Sequence, residues 1–380
     1  KVAVQPPVRE AMPPARFHGT SSPGSAAPGS APGAYPVAQL GQRRAFPPWF
    51  EENRLMSELR KFLFDGLPVR GMLVRLTESW QEVLRRRAAH GQDPQYPPEV
   101  RRLLGEMTAA ATLMQSNIKF NGALILQIFG DGPVKLAVVE VQPDLSFRAT
   151  AKVVGEVPAG ATLSQMVNVH NQGRCAVTLD PKDRLPGQQP YQGIISLWDD
   201  QGAPIERFSD VLAHYMLQSE QLDTTLVLAA NDQLAAGLLI QRLPVLGEGN
   251  IAARSTQADE DQIGRNEDYA RIAILAASLK ESELLELDGP TVLRRLFWEE
   301  NRVEFEPLVG ERAPRFACKC SRDRVQRMIH GLGPEEARDI VREQGQIEVA
   351  CDFCGVAYRF DAIDTEQIFV DTAPGSSSIQ

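Results

Sequence analysis

Cysteine is scarce in this chain. Five in 380 residues, an odd number, exclude the dense disulfide framework of a small secreted fold and fit a reducing compartment better. No run of about eighteen apolar residues occurs, which excludes a conventional transmembrane helix. Positive charge is not in excess: 40 Lys and Arg stand against 49 Asp and Glu, net −9, so broad adhesion to nucleic acid or anionic membrane is disfavoured. The first residues lack the charged-then-apolar pattern of a signal peptide. Enzyme signatures are missing as well. Gly130-Asp131-Gly132-Pro133 is too short and too strand-flanked to cradle phosphate and reads as a turn. Ser219 has His214 five residues before it but no triad context, so it reads as a helix end. The expectation is a non-enzymatic cytoplasmic protein. Its 43% hydrophobic residues suffice for a sizeable core, and its length for one large domain or two to three smaller ones.

What is present changes character along the chain. Residues 1–47 contain "TSSPGSAAPGSAPGAYP" and almost no large apolar groups, so they cannot offset their ordering entropy and read as a low-complexity tail. Glu10 is the only acid there, against Lys1, Arg9, Arg16, Arg43 and Arg44, which leaves an organelle transit peptide as the alternative. From 48 to 264 the pattern is that of an α+β domain. "ENRLMSELRKFLF" has helix-like spacing, and a turn then leads into a strand at "MLVRL". Helices follow at "SWQEVLRRRAAHG" and from Pro98, then a β-meander from "GALILQIF". Further strands are expected at "RCAVTLD", "YQGIISLW" and "TTLVLAA", with a helix at "ERFSDVLAHYMLQSEQ". Strands come in runs rather than alternating with helices, which favours α+β over a doubly wound sheet.

Residues 265–316 read as an amphipathic helical linker, too charged to stand alone and obliged to dock on a neighbour. Leu275 and Leu279 share one apolar face with Ile272, and Leu293, Leu296 and Phe297 share another with Val292. Residues 368–380 are tail-like.

Between these lies 317–367, with four of the five cysteines. Cys318-x-Cys320 and Cys351-x-x-Cys354 are two hooks, each offering two sulfurs from one turn, the pattern of a closed tetrahedral zinc site. Two disulfides are the alternative, disfavoured under reducing conditions. His330 is a possible substitute ligand but reads better as a helix-surface residue. Four sulfur ligands leave no open position for hydrolytic catalysis. A module this small has little core, so metal must supply much of its stability. Zinc-bound thiolates are also what peroxide or hypochlorite attacks, so oxidation could open the clamp; the chemistry permits such a switch without requiring it. Cys175, in a strand-like run, reads as a buried small hydrophobe, with a regulatory thiol as the alternative. A nucleic-acid-binding zinc ribbon is the main rival, but residues 301–380 carry ten basic and fourteen acidic side chains, net −4, the wrong sign. A thiol oxidoreductase is weaker still, because no βαβ pattern precedes Cys351.

The ordered motifs "PVRGMLVRL", "LMQSNIKFNGALILQIFGDGPVKLAVVE", "YQGIISL", "YMLQSEQL", "AAGLLIQRLP", "FACKCSRDRV" and "IEVACDFCGVAYRF" together resemble the heat shock protein 33 family of redox-regulated holdase chaperones. The resemblance runs from about Glu52 to Ile368 and leaves the N-terminal tail outside it. It implies one zinc per chain on Cys318, Cys320, Cys351 and Cys354, and ATP-independent binding of unfolding clients under oxidative stress. It further implies disulfides Cys318–Cys320 and Cys351–Cys354 on activation, with zinc release and a tendency to homodimerise. A Cys-x-Cys disulfide is a tight ring, which favours reversibility. On this reading Leu275, Leu279, Leu293, Leu296, Phe297 and Trp298 are masked in the reduced form and offered to clients after oxidation.

Overall fold

The computed structural model describes residues 56–89, 95–184, 187–243 and 256–370, with side chains of the last segment from 267 onward. The tail expected over 1–47 lies outside the described residues, as do 371–380.

In chain order the strands are β1 (Glu58–Phe64), β2 (Val69–Leu76), β3 (Gly122–Phe129), β4 (Val134–Val141), β5 (Ser146–Val153), β6 (Arg174–Pro181), β7 (Tyr191–Ser196), β8 (Thr224–Ala230) and β9 (Ala235–Arg242). Four short ones follow: β10 (Arg302–Glu304), β11 (Arg315–Phe316), β12 (Ile347–Ala350) and β13 (Ala357–Phe360). The helices are α1 (Glu78–Ala88), α2 (Pro98–Asn117), α3 (Leu163–Val167), α4 (Phe208–Gln218), α5 (Thr256–Ala277), α6 (Glu281–Glu286) and α7 (Gly289–Leu296). The last three are α8 (Arg322–Leu332), α9 (Pro334–Gln344) and α10 (Ala362–Val370). A five-stranded sheet runs β10-β1-β2-β9-β8, a six-stranded sheet β11-β5-β4-β3-β6-β7, and β12-β13 form a hairpin. This is the α+β class expected.

The long helix α2 is the keystone of the core. Pro98 opens it, and Thr108, Ala109, Ala110, Ala111 and Thr112 are buried in succession, so the helix is apolar nearly all round. It packs against strands of both sheets and joins them in one cluster with Leu59, Val74, Leu126, Val139 and Phe147. Thr108 and Thr112 satisfy their buried hydroxyls by donating to the carbonyls of Leu104 and Thr108, 2.7 and 2.8 Å away.

β1 corrects the helix expected over "ENRLMSELRKFLF". Its pairing with β2 on one side and β10 on the other overrides local spacing, and Phe62 and Phe64 alternate onto one face of the sheet. That face is covered by the segment expected as a linker. Ile272, Ala276, Leu279, Leu284, Val292, Leu293, Leu296 and Phe297 bury against Phe62, Phe64, Val69, Leu73, Val227 and Leu238. Phe297 stands edge-on to Phe64 with ring centroids 5.1 Å apart. Arg75, buried on β2, donates to the Leu284 carbonyl at 2.5 Å. The segment is not helical to its end, however: 302–304 pairs with β1 and 315–316 with β5, because both sheets offer edges there. Its last residues are thus sewn into both sheets. At the other end α10 runs to Val370, past the boundary expected at 367, since Ile368 belongs to a small core of its own.

A half-buried carboxyl on α2 lies within reach of the covering segment. Glu106 on α2 shares a small cavity with Arg102, Glu206, Arg207 and, from α6, Glu281. Burial pushes its carboxyl up to about 7, the neighbouring Glu281 adding to the effect while Arg102 and Arg207 oppose it. Stability from this group is full below the ordinary 4.5 and is lost as pH rises through about 7, because the unfolded chain gives up the proton first. Glu106→Gln is expected to raise the core Tm by roughly 5 °C at pH 8 and not at pH 4. Calorimetry at the two pH values checks this; an equal shift at both would sink it.

Candidate metal centre

Each cysteine hook is set by an element that ends just before or after it. β11 delivers Cys318, and after Cys320 the chain turns into α8, whose cap Ser321 accepts from the Arg324 amide. β12 delivers Cys351, and β13 leads away after Cys354. Within that loop the Cys351 amide donates to the Val356 carbonyl at 3.0 Å and the Gly355 amide to the Cys351 carbonyl at 2.6 Å. Gly355 takes φ +63°, a left-handed turn that glycine adopts without strain.

The four sulfurs lie within 4.8 Å of one another. Cys318 Sγ is 3.6 Å from Cys351 Sγ, and Cys320 Sγ is 3.2 Å from Cys354 Sγ. Four thiolates on one zinc would sit about 3.8 Å apart, so the set fits that ion with small adjustments. The backbone agrees: the Cys320 amide faces Cys318, the Cys354 and Phe353 amides face Cys351, and the Val356 amide faces Cys354, each favouring a thiolate. Tyr358 Oη donates to Cys320 Sγ at 3.2 Å. Among the sulfurs themselves the protons are unevenly shared. The hydrogen bond with Cys351 holds Cys318 below the ordinary thiol range, while the same bond and burial push Cys351 up to about 12. Burial pushes Cys354 up to about 11. Only a cation at the centre would let all four ionise together.

The hooks are also fastened to the core. β11 pairs in parallel with β5, and the Ala317 amide, next to Cys318, donates to the Phe147 carbonyl at 2.9 Å. From β5, the Arg148 guanidinium lies 4.1 Å from the Phe353 ring centre, inside the second hook, and bonds Glu140 on β4. Thr150 Oγ1 donates to the Asp352 carbonyl at 2.8 Å. Arg148 and Thr150 lie some 200 residues from the hook, and nothing local in the sequence marks them. Phe353, an aromatic between two cysteines, was the available signal.

A family model described as Hsp33 protein matches residues 57–361. The chain belongs to the Hsp33 family. The 33 kDa chaperonin of Chromobacterium violaceum is 44% identical over 313 residues, covering 82% of this chain and 94% of that protein. The 33 kDa chaperonin of Methylobacillus flagellatus is 39% identical over 317 residues, covering 83% and 95%. The crystal structure of the Thermotoga maritima heat shock protein 33 homologue shares the fold, with TM-score 0.63 at 20% identity over 83% of this chain and 98% of that one. The resemblance drawn from the motifs therefore holds.

In this Hsp33 chain the remaining expected residues separate clearly. Cys175 is buried in β6, away from the cluster, with burial pushing its thiol up to about 12. His330 stacks on Phe369 with centroids 5.5 Å apart, outside the four-sulfur set. Leu279, Leu293, Leu296 and Phe297 are buried and Leu275 partly so, but Trp298 is 72% exposed and is not masked. The chain turns at the end of α7, and Trp298 falls beyond the last residue facing the sheet. Gly130–Pro133 is the β3–β4 turn, and Ser219 follows the last residue of α4. Among the described residues no helix is long and apolar enough to cross a membrane.

Proposed function

We propose that this chain is a redox-regulated, ATP-independent holdase. It is closed and inactive when reduced and zinc-bound, and opened to unfolding clients by disulfide formation. The observation that carries the reading is the fastening of one cysteine cluster to the core, beside a segment that covers an apolar sheet face. When bound, zinc would hold Cys318, Cys320, Cys351 and Cys354 as thiolates and tie the two hooks together. Peroxide oxidises one thiolate to a sulfenic acid; the neighbouring thiolate displaces its oxygen as water, forming the S–S bond. Two such events consume all four donors. We assign the pairs Cys318–Cys320 and Cys351–Cys354. The shortest sulfur contacts run between hooks, but a bridge between hooks would staple the module shut, whereas bridges within each hook leave it untethered.

Opening would free β11 and the Phe353 hook from β5 and loosen the preceding segment from the five-stranded sheet. Leu275, Leu279, Leu293, Leu296 and Phe297, with the sheet face beneath them, then become the client surface. Partners on this reading are unfolding proteins, with homodimerisation in the oxidised form, in a compartment as reducing as the cytoplasm. The nucleic-acid alternative gains little. Arg312, Arg315 and Arg322 near the first hook pair with Glu306, Asp144 and Asp364.

Peroxide with mild heat is expected to release about one zinc per chain and give peptides linked Cys318–Cys320 and Cys351–Cys354 on mapping. The oxidised form should suppress thermal aggregation of a test enzyme at about equimolar ratio, and the reduced form should not. Equal suppression by both forms would sink the switch, and none by either would sink the chaperone reading.

A further inference from the structure

β5 is the edge strand of the core's share of the six-stranded sheet, and its outer backbone groups are met by two separate covers, β11 and Tyr96. Alternation along the strand decides which groups point outward. The carbonyls of Leu145 and Phe147 accept from the Arg315 and Ala317 amides, and the Ala151 amide and carbonyl both meet Tyr96 Oη. Odd-numbered residues thus face outward, while the Ser146 carbonyl accepts from Gln142 on the β4 side. β11 belongs to the approach to the cysteine module, whose hook at Asp352–Phe353 meets the side chains of Thr150 and Arg148; Tyr96 belongs to the core. Phe316 of β11 also packs on the main apolar cluster beneath Arg86, so the edge is matched with a slot for an apolar side chain.

We propose that the outer edge of β5 from Leu145 to Thr150 binds clients by strand addition. An extended segment of an unfolding polypeptide takes the place of β11, with an apolar side chain in the slot of Phe316. The inference deepens the holdase reading and rests on it. β11 shows what fits: its backbone bonds serve any sequence, and its apolar residue at the second position fills the slot. This is the recognition a protein needs for clients that share only exposed apolar chain. Tyr96 closes the far end at Ala151 and limits the site to a short segment.

Residue-resolved hydrogen exchange by NMR on the full chain tests this, with reduced, carboxymethylated α-lactalbumin as the client. In the oxidised protein the outward amides of Phe147 and Ala149 are expected to exchange at least tenfold more slowly once the client is added. The inward amides of Arg148 and Thr150 should stay slow throughout. Ala149→Pro, which removes an outward N–H and no bond to β4, is expected to weaken aggregation suppression severalfold at unchanged zinc content. Unchanged exchange at Phe147 and Ala149 with full suppression would overturn the edge site and leave the holdase reading standing. Slow exchange without client, in a species of doubled mass, would assign the edge to a second copy and overturn the proposal. Absence of suppression by the oxidised wild type would remove the holdase reading and the edge site with it.

Discussion

Replacing Cys351 with serine, or stripping metal from the reduced protein with a strong chelator, is expected to unfold residues 317–370 while the core stays folded. The module has few apolar side chains to hold it: Val325, Ile329, Ala337, Ile347, Phe360 and Ile368 form its buried cluster. A core of that size supplies at most a few kcal/mol, whereas structural zinc contributes about 10–16 kcal/mol in small modules. Serine would leave three sulfurs and a hydroxyl that does not ionise at neutral pH, and the remaining hook could not close around a cation. Without that charge Cys351 and Cys354, pushed up to about 12 and about 11, stay protonated thiols that do not tie the two hooks together. The surface ion pairs Arg338–Glu366 and Arg359–Glu348 cannot compensate, being exposed to solvent. Limited proteolysis should cut first within α8–α9 and leave a protected fragment ending before the hooks. Native-like protection of the module in Cys351→Ser would show that its apolar core suffices and that zinc is not the fastening. Because β11 adjoins the first hook, the same variant is expected to suppress aggregation in part without any oxidant.

The sequence alone revealed much of this site and less of its surroundings. Two short cysteine hooks are legible because their chemistry is local: ligand spacing within each hook is set by one turn. The helix after Ser321, the break at Gly333-Pro334 and the second helix rest on signals as local, a serine cap and a Gly-Pro breaker acting over three or four residues. β1 was not, because its spacing suits a helix and only β2 and β10, distant in sequence, make it a strand. The seating of the hooks was equally hidden. Arg148 meets Phe353 and Thr150 meets Asp352 across some 200 residues, contacts that exist only once the six-stranded sheet has formed. The covering segment was half legible. Its amphipathic pattern demanded a neighbour, and most of the leucines named from that pattern are buried. Trp298 shows the limit: hydrophobicity put it on the inner face, and the end of α7 turned it outward.

Phe297→Ala is expected to switch the protein on without oxidation or loss of zinc. Phe297 is 1% exposed and stands against both Phe64 and Phe62, with centroids 5.1 and 6.1 Å apart. The Phe62 ring in turn occupies the space a side chain at Gly71 would need, so the cluster is tightly packed and has little slack to refill a void. Truncation should therefore cost about 3–5 kcal/mol. That cost falls on α6 and α7, six and eight residues long, which hold helical form only through the sheet beneath them. Losing it should lift 281–300 from the five-stranded sheet and expose Phe64, Leu73 and Leu238. The Arg75 bond to Leu284 would be exchanged for bonds to water, so it offers little resistance to opening. Reduced, zinc-loaded Phe297→Ala should then suppress aggregation without oxidant, though severalfold less than the oxidised wild type because the β5 edge stays closed, with fast hydrogen exchange over 281–300 and slow exchange over 322–360. Trp298→Ala, at a neighbouring but exposed position, should change stability by less than about 0.5 kcal/mol and leave the reduced form inactive. If Phe297→Ala frees the segment and the reduced protein still fails to hold clients, the covered sheet face is not the client surface. Capture would then lie elsewhere, on the β5 edge that this substitution leaves closed.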